Sequence, residues 1–100
     1  MVIYLTIRVV AKKYVKPEKV QEFMDLCKKL VESSLKDKGC IDYGLYQDLE
    51  NPEVLTFLEE WENEKSLHEH LNSDHFNKIS PLLSECIEKD FEVNVYRKAL

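Results

Sequence analysis

The sequence predicts an α+β fold with the element order β-α-β-β-α-β. Three observations carry this. Apolar residues alternate with a period of two in residues 3–14, 40–48, 54–61 and 91–97. They recur at offsets of three and four from Val20 to Leu35 and again from Leu67 to Ile87. Only the short turn-like segment Leu49–Glu53 separates the two middle strands, so they form an antiparallel hairpin.

Each element has a local cause. In the first strand, Ile3, Leu5, Ile7, Val9 and Ala11 share one face, and Tyr4, Thr6, Arg8, Val10 and Lys12 share the other. Pro17 suits the first turn of a helix, because its missing N–H would have no partner there. Val20, Phe23, Met24, Cys27, Leu30, Val31 and Leu35 make the apolar stripe of that helix, and Gly39 ends it. The second strand reads CIDYGLYQD and the third VLTFLEEW, with Asn51-Pro52 in the turn between. Asn63 is placed to cap a short helix whose inner face holds Leu67, His70 and Leu71. Ser73 or Asp74 caps a further turn through Phe76 and Ile79. Ser80-Pro81 reads as a restart, with Leu82, Leu83, Cys86 and Ile87 turned inward. FEVNVYR forms the last strand. This order is the split β-α-β, or ferredoxin-like, arrangement, an antiparallel sheet with its helices on one face.

Bulk properties narrow the function. The chain has 100 residues, read as one domain over residues 1–100, with a formal charge of −5 and its lysines and arginines scattered among acids. Phosphate binding wants a basic stripe, so nucleic acid is not an expected partner. No apolar run reaches the ~18 residues of a membrane span, and the start shows no leader pattern, so the expected location is the cytoplasm. Cys27, Cys40 and Cys86 match neither a disulfide framework nor a metal knuckle. No metal or cofactor is expected. Apolar residues stand on both faces of the first and third strands, Val54 and Leu58 opposing Leu55, Phe57 and Trp61. An exposed apolar sheet is costly, so a second copy is expected to cover it as a twofold homodimer.

Residues Leu55–Asn77 concentrate the chemistry. They hold the single tryptophan and all three histidines. Glu59 and Trp61, two apart on a strand, project to one face. They form either an acid/base group against an aromatic wall or a core pairing. His75, beside Phe76 at a helix start, and His70, on the inner face of the preceding helix, are the candidate bases. Each is equally open to a structural reading, as a capping or a core histidine. His68 lies about 200° around the helix from His70 and is expected to face solvent. A metal shared by His70 and His75 would need the chain to bend between them and Glu59 to join. Tyr43 and Tyr46 lie on opposite faces of the second strand, one toward a pocket and the other toward a dimer contact. Arg8 offers either an anion grip or a sheet-surface pairing with Glu60 or Glu92.

The sequence resembles the antibiotic biosynthesis monooxygenase (ABM) family, particularly its small quinol-monooxygenase members. The resemblance lies in Val15-Lys16-Pro17, in Gly39-Cys40-Ile41-Asp42-Tyr43, in Tyr46-Gln47-Asp48, and above all in Glu59-Glu60-Trp61-Glu62 followed by Leu67, His70, Ser73, His75 and Phe76. It implies a ferredoxin-like subunit, two of whose sheets meet in a dimeric α+β barrel. It also implies oxidation of a small quinol or phenol by O2 without metal or flavin. On that reading His75, His70 and Glu59 are catalytic, and Trp61, Tyr43, Tyr46, Phe76, Phe57 and Arg8 bind substrate. Relatives cleave haem, but Val10, His70 and Ser80 stand where that branch carries asparagine, tryptophan and histidine. Phe57 replaces an asparagine of some polyketide oxygenases. The resemblance leaves two other functions open: a small-metabolite isomerase of the autoinducer-processing type, and a non-catalytic dimeric ligand-binding module.

Overall fold

The computed structural model describes residues 5–89 and 92–100. Strand β1 (Ile7–Val15) leads through a 3-10 turn at Pro17–Lys19 into helix α1 (Val20–Ser34). Strands β2 (Cys40–Gln47) and β3 (Val54–Trp61) form the hairpin, followed by helices α2 (Glu64–Leu71) and α3 (Asp74–Cys86). Two short strands, β4 (Ile87–Lys89) and β5 (Val93–Arg97), close the chain. All pairings are antiparallel and the sheet order is β2-β3-β1-β4, with β5 also on β1. This is the expected α+β, ferredoxin-like fold.

Register explains the burial. Ile7, Val9 and Ala11 stand opposite Trp61, Glu59 and Phe57, and Tyr43 stands opposite Glu59. This face carries the helices. Phe23, Cys27 and Leu30 of α1 are almost wholly buried against it, each aliphatic or aromatic side chain contributing about 2 kcal/mol by leaving water. The other face, with Val10, Leu58, Tyr46 and Tyr96, carries no helix among the described residues, and Leu58, Tyr46 and Tyr96 are exposed.

The structure corrects several sequence expectations. There is no restart at Ser80-Pro81: α3 runs through Pro81 from its Ser73 cap to Cys86. Proline removes one main-chain bond, but Pro81 and its donorless turn face solvent, which limits the cost. Leu82 and Leu71 are 46% and 43% exposed, not core. The last strand begins at Val93, and β4 is an extra strand, too short and too charged for its alternation to show. Ile3, Tyr4 and Phe91 lie outside the described residues. Cys27, Cys40 and Cys86 are unbridged, and burial pushes the Cys27 thiol up to about 12.

Candidate active site

A small cavity of about 130 Å³ opens between the helix-bearing sheet face and α2–α3. Its walls come from Val9, Ala11 and Lys13 of β1, Tyr43 of β2, Phe57 and Glu59 of β3, Leu67, His70 and Leu71 of α2, Phe76 of α3, and Val93 and Val95 of β5. A cavity of roughly 150 Å³ accommodates benzene, so the space suits a single aromatic ring.

Alternation along β3 puts Glu59 and Trp61 on this face. The indole Nε1 donates to Glu59 Oε1 at 2.9 Å, and Trp61 is fully buried. Trp61 therefore stands behind the carboxylate and is not a cavity wall. Burial pushes the Glu59 carboxyl up to about 7, opposed by the indole hydrogen bond and by the charge of Lys13. Lys13, which sequence reasoning missed, is pushed down to about 8, again chiefly by burial. Its signal was present: position 13 continues the inward row of Val9 and Ala11.

His70 comes from the last turn of α2, which Asn63 caps by accepting a hydrogen bond from Ser66 N. The imidazole lies 4.7 Å from the Trp61 ring, 5.2 Å from Tyr43 and 5.1 Å from Phe76. Its Nδ1 meets Asp37 Oδ2 at 2.8 Å. Burial lowers the basicity of His70, and Asp37 works against that. Asp37 was also missed by sequence reasoning. It sits in the turn after α1, where Cys40 N donates to Asp37 O and Gly39 takes φ +83°. The missing Cβ of Gly39 lets the turn pack directly on Ser66 of α2.

The chain does bend between His70 and His75. Ser73 caps α3, its Oγ accepting from Phe76 N and donating to His70 O. This turns His75 back so that its Nε2 lies 2.9 Å from the same Asp37 Oδ2 and 3.1 Å from Ser73 Oγ. His75 is not a cavity wall. The third member of the cluster is Asp37, not Glu59. Asp37, His70 and His75 each present one donor atom within 4.8 Å, the number a metal ion would need. The oxygen–nitrogen spacings of 2.8 and 2.9 Å are those of hydrogen bonds, so Asp37 and the two imidazoles form a carboxylate–histidine cluster of the kind that supports proton chemistry.

The remaining candidates divide by face. Tyr43, Phe57 and Phe76 line the cavity. Arg8 and Tyr46 are on the opposite face of the sheet, where Arg8 lies 3.5 Å from Glu60 and Tyr46 is 52% exposed, so neither reaches this cavity. His68 is exposed, as its helical position predicts.

Among the described residues no helix is long and apolar enough to cross a membrane. The fold is shared with solved structures. A conserved protein from Methanosarcina mazei superposes with a TM-score of 0.92 at 67% identity, covering 95% of this chain and 94% of that one. The crystal structure of an antibiotic biosynthesis monooxygenase gives 0.88 at 29% identity, covering 94% and 98%. In sequence, the chain is 31% identical to an uncharacterised Synechocystis protein over 85% of its length, and 32% identical over 62% to the Bacillus subtilis protein named "Putative monooxygenase YcnE". It spans 58% and 65% of the length of these two relatives. The family model for antibiotic biosynthesis monooxygenase matches residues 6–81, which include β1 to β3, His70, His75, Asp37 and Glu59. By that match the chain belongs to the antibiotic biosynthesis monooxygenase family.

Proposed function

We propose that this protein is a monooxygenase that oxidises a small quinol or related phenol with O2 in the cavity beneath α2. One observation carries the reading: two proton acceptors, His70 and Glu59, stand in one ring-sized apolar cavity walled by Tyr43, Phe57 and Phe76. O2 accepts electrons readily only from an electron-rich partner. Removing a hydroxyl proton makes the ring such a partner, and an apolar site favours passing its charge to oxygen. The balance closes on substrate and O2 alone. A quinol and O2 give a hydroxyquinone and water: one oxygen atom bonds to a ring carbon, the O–O bond breaks, and the quinol supplies the two electrons and two protons of the water. The protein's part is to take the proton, hold the ring and return the proton to the departing oxygen.

The partner we propose is a second copy of the chain. It covers the open sheet face around Val10, Leu58, Tyr46 and Tyr96, whose apolar area otherwise stays in water.

The reading is tested by O2 uptake from chemically reduced quinones, with chelator-treated protein and autoxidation subtracted. Uptake above background that falls at least ~100-fold in His70→Ala supports it. A folded protein without uptake across a panel of one- and two-ring quinols overturns it.

A further inference from the structure

We infer that Asp37 is a positioning residue that holds His70 as the cavity's proton acceptor at Nε2, and that His75 acts only through the same carboxylate oxygen. The inference rests on the monooxygenase reading for its chemistry, but not for its geometry. Asp37 Oδ2 meets His70 Nδ1 at 2.8 Å and His75 Nε2 at 2.9 Å. An ionised carboxylate only accepts, so both nitrogens must carry protons. Ser73 agrees with this assignment. Its hydroxyl proton goes to His70 O at 2.6 Å, so toward His75 Nε2 it too can only accept. In the neutral rings the remaining nitrogens, Nε2 of His70 and Nδ1 of His75, keep lone pairs. Only His70 belongs to the cavity wall, and its side chain is 1% exposed against 25% for His75.

The consequence for catalysis is specific. When His70 Nε2 takes the substrate's hydroxyl proton, the ring becomes an imidazolium. Its Nδ1–H bond to Asp37 becomes charge-assisted and stronger, with no proton moving to the carboxylate. The same proton later leaves Nε2 for the departing oxygen. His75, sharing the oxygen, fixes the carboxylate's orientation and draws off part of its charge. The other ionisable groups in the cavity wall are Lys13, Tyr43 and Glu59, the last held on Trp61; neither Tyr43 nor Glu59 hydrogen-bonds to the imidazole among the described residues.

The test joins nitrogen-15 NMR of the free protein with kinetics of three variants. NMR is expected to find neutral His70 with Nδ1 protonated and Nε2 bare; the reverse tautomer in folded wild type overturns the inference. Asp37→Asn keeps the shape and removes the charge. It is expected to lower kcat roughly 100-fold at unchanged KM and to move the acidic limb of the pH profile, which reports deprotonation of His70, to lower pH. Asp37→Glu is expected to recover part of the loss. His75→Gln retains an N–H for Asp37 and is expected to cost less than about tenfold. Loss as deep as that of His70→Ala, with the His70 tautomer intact, would make His75 the base and overturn the inference. The expected tautomer in a protein that consumes no O2 would support the geometry while ending the oxygenase reading.

Discussion

Trp61 Nε1 donates a 2.9 Å hydrogen bond to Glu59 Oε1, two residues earlier on the same strand face. The fully buried indole presents a carboxyl group to an apolar cavity. The carboxyl is thereby kept in place while burial still makes its ionisation costly.

That cost makes stability depend on pH. The Glu59 carboxyl sits at about 7 in the folded protein against 4.5 when solvated. Between those values the folded state holds a proton that the unfolded state has released. Stability therefore falls as pH rises from 4.5 to 7, by on the order of 3 kcal/mol. Glu59→Gln keeps an acceptor for Trp61 and cannot ionise. Urea midpoints at pH 4.5 and 7.5 are expected to converge in this variant and to separate in wild type.

Lys13 gives the opposite slope in a higher window. Its ammonium group sits at about 8 when folded and 10.5 when solvated. Between these values the unfolded chain holds the extra proton, so stability rises with pH. In Lys13→Met that rise between pH 8 and 10.5 is expected to disappear, as read from urea midpoints in the two proteins.

Gly39→Ala tests the turn that carries Asp37. The backbone there has φ +83°, and a Cβ would overlap Ser66 Oγ and Cβ. A loss of about 2 kcal/mol or more in a denaturant titration is expected. A neutral result would mean that the turn does not pack on α2 this way.

Ser73→Ala removes the α3 cap and the bond that ties it to His70 O. The expected cost is about 1 kcal/mol. His75 also loses a neighbour, so its NMR resonances should broaden or shift while those of exposed His68 stay unchanged.

Leu58→Glu places a charge in the middle of the open sheet face, where Leu58 is 39% exposed. Light scattering is expected to show a dimer for wild type and a monomer for the variant. A monomeric wild type at micromolar concentration would remove the second copy from the proposal.

The sequence by itself determined what depends on neighbours a few residues apart. Alternation placed β3 at Val54–Trp61 and set Glu59 beside Trp61. A period of three to four laid out α1, Asn63 marked one helix start and Ser73 or Asp74 the next, and His70 fell on an inner face because of its phase with Leu67. Parity also put Tyr43 and Tyr46 on opposite faces, but which face the helices cover is a packing outcome. Only the tertiary structure decided that Arg8 and Tyr46 lie away from the cavity and that α3 continues through Pro81. Above all, it brought Asp37 to two histidines that lie 33 and 38 residues further along the chain. Periodicity reports the direction in which a side chain leaves its own element. It carries no record of which distant carboxylate a turn will set in front of it, because that depends on how closely α2 can approach Gly39.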